Sequence, residues 1–539
     1  MGNRKLLDCT LRDGGYINDW EFGHNNIVEI FDRLVSTGVD YIEIGFLDDR
    51  RKFDINRTIM PDTKSADTIF RGLNKGNTTV LGMIDFGTCA IENIAPVSES
   101  FLDGIRVIFK EHLMYPALAY CDQLKALGYK VFAQMVSVTT YTDDKLKEYA
   151  ELVNSVMPYA TSMVDTYGLM DEKQLHHIFS ILDEHLNPSI KLGFHAHNNF
   201  QLAFSNAKAF LNFETHRDLI TDGTLYAMGK SAGNAAIELL MMEMNRNHGK
   251  SYHVAQALEA IDNVILDIYR KQYWGYNLKF YISALERCHP NYVSYLLDKK
   301  TLSIDQILTV LGTLDEDKKL LYDAKCAEKK YLEYQSRSCD DRSANNALKS
   351  QFAGRKILVI GPGKTIVREK RKIQKFIDTE KPIILSVNYI PSHIPVDFVF
   401  LTNAKRYNQL LNAEKYQENQ NDSVIIATSN VTKIAGHFDY VLNYEALIDK
   451  DAEIVDNSLI MLLKWLIQLG IHDIALAGFD GYSKHSDNYF DTRREYSFVK
   501  AKSNYLNQYV KSFLEKYRNQ VVIRFVTRSR YEDKIIRTV

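Results

Sequence analysis

Two stretches of the sequence hold residues of the kind that handle charge at a reacting carbon. "KLLDCTLRDGGYINDWEFG" (5–23) closes a short apolar run with Arg12 and Asp13, followed by Gly14, Gly15 and Tyr16. "IKLGFHAH" (190–197) closes another with His195 and His197. Two residues apart on a strand, the two imidazoles point to one side. With one carboxylate they form a divalent-ion triad that leaves coordination positions open to a substrate. Such a site polarises a carbonyl oxygen, and a neighbouring guanidinium adds a fixed positive charge there. The plainer reading of Arg12–Asp13 is a salt-bridged turn; a lone histidine is more often structural. A third stretch, "TDGTLYAMGKSAGNAAIELL" (221–240), supplies Gly229, Gly233 and Asn234 in a loop before a helix. It reads either as a flexible loop with a helix cap or as backbone and amide that approach a bound ligand.

These residues need elements to hold them. From 1 to 248 the sequence alternates β-branched runs (5–9, 41–46, 79–85, 104–109, 130–136, 160–165, 190–197, 218–223) with amphipathic stretches such as "NNIVEIFDRLVSTG". Eight strand–helix repeats predict a TIM barrel, with an open doubly wound sheet as the other arrangement. Arg12–Asp13, the two histidines and the glycine loop then all lie where strands end, the reactive end of a barrel. Residues 249–345 have helical periodicity and predict a helical domain closing the barrel mouth, followed by a linker near 340–353. "GRKILVIGPGKTI" opens a second α/β domain over 350–539, predicted as an open Rossmann-like sheet. At 539 residues the chain exceeds one core. Its net charge of −2 gives no field favouring nucleic acid or membrane. Six scattered cysteines without CxxC argue against a disulfide framework or a thiolate zinc site. With no apolar signal segment at the N-terminus, the expected location is the cytoplasm.

"TLRDG", "HAHNN" and "GKSAGNA", in this order, resemble the DRE-TIM metallolyase superfamily, which includes 4-hydroxy-2-oxovalerate aldolase, HMG-CoA lyase and 2-isopropylmalate synthase. The resemblance spans about residues 5–300. It implies an ion, Mn²⁺ or Mg²⁺ ahead of Co²⁺ or Zn²⁺, held by Asp13, His195 and His197, with Asn234 ligating or supporting it. It implies Arg12 at an enolate oxygen, and Gly14, Gly229 and Gly233 against substrate. The expected reaction joins pyruvate or another 2-oxoacid to an aldehyde through a metal-bound enolate, or cleaves the 4-hydroxy-2-oxoacid adduct. The aldolase branch has a histidine shortly after its RDG; here Gly14, Gly15 and Tyr16 stand there, so Tyr16 and Tyr276 become the candidate proton carriers. A Claisen-type acyl-CoA synthase or lyase is the alternative on the same barrel.

In the second domain "KILVIGPGKTIVREKRKIQKF" has the strand–glycine–helix form of a phosphate site. It lacks Walker A spacing, and Ile366 stands where GxGxxG needs its third glycine. The basic residues after it read equally as phosphate contacts or as a solvated helix face. Residues 355–500 are loosely similar to DUF115-type and sialyltransferase-like domains. That implies a nucleotide or sugar-phosphate site with Gly361, Gly363, Asn388, Asn403 and Asp480 as candidate contacts. The other reading is a degenerate sheet domain that holds an oligomer together. The expected partners are a small 2-oxoacid, an aldehyde (a sugar, in polysaccharide biosynthesis), a nucleotide sugar and a second copy of the chain, with no nucleic acid. A nucleotide-sugar transferase or binding protein with an auxiliary barrel is the reading from another class.

Overall fold

Eight apolar runs become the staves of a closed barrel in the computed structural model, which describes residues 2–414, 423–433, 436–496 and 498–532. They are β1 (Arg4–Asp8), β2 (Tyr41–Leu47), β3 (Thr79–Asp85), β4 (Gly104–Phe109), β5 (Lys130–Met135), β6 (Ala160–Asp165), β7 (Lys191–Ala196) and β8 (Leu219–Gly223). Every pairing is parallel, and β1 closes the ring by bonding both β2 and β8. The sheet is therefore the predicted TIM barrel. The crossover helices show why. In His24–Thr37, Ile27, Ile30, Phe31 and Leu34 form one buried stripe, and Gly38 ends the helix at φ +79.

Alternation along the strands separates two layers. Outward-facing side chains join the helices in the main core, whereas Leu7, Tyr41, Leu81, Phe132 and Ile220 pack together as an apolar floor inside. Two residues further along their strands, Glu43, Gln134 and Asp222 are also buried, and so is Arg106 of β4. The interior thus changes from apolar to charged toward the C-terminal strand ends.

The chain divides into two compact units, residues 1–290 and 291–539. The helical stretch expected over 249–345 is shared between them. Helices Val254–Ala260, Leu266–Lys271 and Leu278–Leu285 fall in the first unit, and Ile304–Gly312 and Ala324–Gln335 in the second. The expected linker near 340–353 is instead the helix Arg342–Phe352. Its small polar residues hide a stripe four apart: Leu348 and Phe352 are fully buried in the second core and Ala344 packs against it.

The second unit is an open sheet of β9 (Ile357–Ile360), β10 (Ile383–Val387), β11 (Phe398–Leu401), β12 (Val424–Thr428), β13 (Tyr440–Leu442), β14 (Asp473–Ala477) and β15 (Val522–Phe525). The order is β13-β12-β11-β10-β9-β14-β15, with every pairing parallel. Alternate residues feed two cores: Ile357, Val359 and Leu385 meet Trp465 on one face, and Leu358, Ile360 and Ile384 meet Ile373 on the other. Burial on both faces is what makes these strands read as continuous apolar runs. The winding direction reverses between β9 and β14, the place where open α/β sheets leave a crevice. Among the described residues no helix is long and apolar enough to cross a membrane.

Candidate functional site

β1 ends in a short helix, Thr10–Asp13, whose amides at Arg12 and Asp13 both bond the Cys9 carbonyl. This tight turn aims Arg12 and Asp13 into the barrel mouth, where both are buried. The Arg12 guanidinium bonds Asp13 and, through Nε, Glu43 at 2.6 Å. β7 brings the two imidazoles to the same point. His195 Nε2 is 3.5 Å and His197 Nε2 3.8 Å from Asp13 carboxylate oxygens. One ligand atom from each of Asp13, His195 and His197 lies within 4.8 Å of the others, close enough to share a metal ion.

The glycine loop supplies the remaining wall. The Asn234 amide nitrogen donates to Asp13 at 3.1 Å, and the Lys230 backbone amide donates to Asp13 at 2.9 Å. Gly229 has to be glycine: a Cβ there would sit 2.1 Å from the Asn234 amide and 2.7 Å from the Asp13 carboxylate. Gly233 turns at φ +89, and a Cβ would strike the Ala227 carbonyl at 2.1 Å. Gly14 packs on the Thr10 carbonyl and Met228. Asn198, just after β7, donates its backbone amide to the Gly233 carbonyl at 2.8 Å, which ties the histidine strand to this loop.

Three residues that the sequence reading did not single out hold the triad from below. Arg106 reaches Glu43 at 3.3 Å and Asp222 at 2.5 Å. Asp222 in turn lies 3.0 Å from His195 Nδ1. An acceptor on Nδ1 fixes the ring and leaves Nε2, the nitrogen that would ligate an ion once its proton is displaced, facing Asp13. His197 Nδ1 is held by the Asp165 carbonyl at 3.1 Å. A charged residue inside each of "YIEIGF", "GIRVIF" and "LITDG" was the available signal.

The electrostatics follow from burial and from these partners. Burial alone would raise the Asp13 carboxyl, but Arg12 and the two imidazoles hold it well below the usual carboxylate range. Burial pushes His197 down to about 3, so its ring is neutral at neutral pH. His195 is raised, because hydrogen bonds to Asp13 and Asp222 outweigh its burial. Among the buried atoms that find no hydrogen-bond partner in the described residues are His197 Nε2 and Asn234 Oδ1, both on side chains that reach Asp13. An unmet imidazole lone pair and an unmet amide oxygen, in the same pocket as an ionised carboxylate, fit a divalent cation.

Tyr16 stands at the mouth, with the Lys230 ammonium 5.4 Å from its ring centre and Trp20 packed edge-on at 4.9 Å. The residue is 40% exposed, and desolvation raises its phenol above the ordinary value. Tyr276 is 55% exposed in the segment before helix Leu278–Leu285. Its ring neighbour is Tyr281, and no contact among the described residues links it to Asp13 or the histidines.

In the second unit Gly363, Asn388, Asn403 and Asp480 line one cavity of about 330 Å³. Gly361 lies behind it, with its amide on the Ala477 carbonyl at 2.8 Å and its own carbonyl accepting from the Tyr389 hydroxyl at 2.7 Å.

Residues 3–265 match the HMGL-like family. Over 247 residues the chain is 27% identical to 4-hydroxy-2-oxovalerate aldolase of Pelotomaculum thermopropionicum, covering 45% of this chain and 70% of that protein. Over 245 residues it is 25% identical to oxaloacetate decarboxylase of Mycobacterium tuberculosis, again 45% and 70% of the two chains. Hydroxymethylglutaryl-CoA lyase from Pseudomonas aeruginosa superimposes with TM-score 0.42 at 15% identity, over 49% of this chain and 93% of that one.

Proposed function

Because the barrel, residues 3–265, belongs to the HMGL-like family within the DRE-TIM superfamily, we propose that it is a divalent-metal-dependent aldolase acting on pyruvate or a similar 2-oxoacid. The observation that carries this reading is the convergence on Asp13 of His195, His197 and Asn234, with His197 Nε2 and Asn234 Oδ1 unsatisfied. Asp13, His195 and His197 would hold the ion, with the Asn234 amide oxygen beside it. A divalent ion there supplies Lewis acidity to the carboxylate and keto oxygens of a 2-oxoacid.

The chain's own residues do the rest. In the synthetic direction a solvent water or hydroxide at the mouth takes a proton from the methyl carbon of the oxoacid, and negative charge builds on its keto oxygen. Arg12 meets that charge with a guanidinium already fixed by Glu43 and Asp13, so no reorganisation is needed as charge develops. The carbon then bonds to the aldehyde carbonyl carbon, and the aldehyde oxygen takes up a proton. Tyr16 is the proposed donor: a phenol raised above its ordinary value stays protonated at neutral pH and serves as an acid rather than a base. Manganese or magnesium suits the carboxylate and imidazole donors. The relatives' names support an aldehyde partner for the oxoacid; its identity as a sugar rests on the fused second unit.

The test is deuterium exchange into the pyruvate methyl group in D₂O, followed by NMR. Exchange is expected with Mn²⁺, is expected to disappear with EDTA, and is expected to fall ~10²–10³-fold in Asp13→Ala, the scale for losing one stabiliser of a developing oxyanion, here the ion that Asp13 would hold. Exchange that survives both EDTA and the substitution would end this reading.

A further inference from the structure

The barrel chemistry makes no use of the cavity in the second unit. That cavity opens at the switch between β9 and β14, at the C-terminal edge of the sheet. A glycine turn at this point invites a phosphate, but the chain fills the place itself. Both Asp480 carboxylate oxygens turn back to Thr365, one taking its backbone amide at 2.9 Å and the other its hydroxyl. Gly363 is the residue that lets the carboxylate in, since a Cβ there would lie 2.5 Å from Asp480 Oδ1. A phosphate arriving here would meet a carboxylate in the seat it needs.

The cations around the cavity are largely committed as well. Arg406 is buried, stacks 5.0 Å from the Tyr496 ring and spends its guanidinium on Gln409 and the Arg494 carbonyl. Lys502 pairs with Glu453 at 2.5 Å. Lys299 differs: its ammonium lies 4.9 Å from the ring centres of both Tyr295 and Tyr331, with no carboxylate within ion-pair distance among the described residues. Burial lowers it, so it gains from a single anionic or hydroxyl partner. Around it the wall offers neutral and acidic hydrogen-bonding groups between aromatic faces. Asp456 accepts from Tyr331 at 3.2 Å, Asn403 donates to Tyr496 at 3.3 Å, and the buried Tyr295 hydroxyl has no hydrogen-bond partner among the described residues.

Aromatic faces suit the C–H side of a pyranose, carboxylate and amide groups suit its hydroxyls, and about 330 Å³ is at the small end of ligand sites. We propose that this cavity is a monosaccharide site, for a neutral sugar or one bearing a single carboxylate, in which Asp456 and Asn403 take ring hydroxyls and Lys299 takes the carboxylate or a further hydroxyl. The site is independent of the barrel proposal and reads sugar rather than phosphate.

Saturation-transfer NMR and calorimetry on the full chain test it. The panel is galactose, N-acetylglucosamine, N-acetylmannosamine, glucuronate, uridine diphosphate, cytidine monophosphate and inorganic phosphate. At least one sugar is expected to bind, with Kd raised tenfold or more in Asp456→Asn and in Asn403→Ala. Lys299→Met is expected to weaken glucuronate more than the neutral sugars. Circular dichroism and cooperative thermal unfolding of the same variants report that the chain is folded. The proposal is overturned if only the nucleotides or phosphate bind, if nothing in the panel binds, or if sugar binding is unchanged in all three folded variants.

Discussion

The barrel and the open sheet are both all-parallel, and both gather their candidate ligands at the C-terminal ends of the strands. They treat polar groups in opposite ways there. In the barrel, Arg12, Glu43, Arg106 and Asp222 neutralise one another below the mouth and hand two unmet acceptors, His197 Nε2 and Asn234 Oδ1, to a point beside Asp13. In the open sheet the charges close on themselves: Asp480 returns to Thr365, and Arg406 to Gln409 and a backbone carbonyl. A converging set of acceptors without donors calls for a cation. A closed set between aromatic walls leaves hydroxyl recognition as the available work.

The largest test of this contrast is the cost of removing a cation. Arg106→Met leaves Glu43 with Arg12 alone and Asp222 with His195 alone, both carboxylates essentially inaccessible, and is expected to cost ~3–5 kcal/mol in urea unfolding. Arg524 in the second unit makes a two-pronged bond to Asp473 at 2.6 and 2.7 Å, but both side chains are about two-fifths exposed. Arg524→Met is therefore expected to cost at most ~1 kcal/mol. Equal costs would break the distinction between an obligatory interior charge layer and an ordinary surface pair. The next effect is smaller and sharper. Gly229→Ala puts a methyl group against Asp13 and Asn234 and is expected to weaken Mn²⁺ binding roughly 10–100-fold by calorimetry. Gly363→Ala also meets a carboxylate, that of Asp480, but should leave Mn²⁺ affinity unchanged and lower stability by about 1–3 kcal/mol. Loss of Mn²⁺ binding in the second variant would show that the two glycines do not serve separate sites.

The staves were legible because each is a β-branched run bounded by turn residues, and the triad because its residues sit at strand ends in a spacing that puts both imidazoles on one side. The interior charge layer was not. Glu43, Arg106 and Asp222 are far apart in sequence and become partners only when the sheet closes, so each looked like an isolated charge in an apolar strand. The same is true of Asp480, which fills the glycine turn from 115 residues away. Local pattern suggested a phosphate seat, and a distant residue had taken it. The helix Arg342–Phe352 was hidden for the opposite reason: its polar, small-residue composition masked a burial stripe of only two large side chains.

The smallest effect concerns two buried carboxylates with the same job. Asp8 accepts from the Thr10 amide and hydroxyl, both at 2.9 Å, just as Asp480 serves Thr365. Burial nevertheless pushes Asp8 up to about 7. It also raises the less deeply buried Asp480. A carboxyl raised above its unfolded value of about 3.9 holds its proton more tightly in the folded chain. Its contribution to stability is therefore fully present below pH ~4, is lost as pH rises through about 7, and stays lost above that. Asn cannot lose that proton. Asp8→Asn should thus gain stability relative to the parent between pH 4.5 and 8, set against a constant loss of about 1 kcal/mol for the hydrogen bond it cannot make. Asp480→Asn should show the same sign with a shallower slope, because its carboxylate is nearer solvent. Thermal unfolding across that pH range measures both. A parent-to-variant difference that is flat for Asp8 and steep for Asp480 would mean that the barrel mouth, not the open sheet, is the wetter of the two sites, and would reverse the comparison.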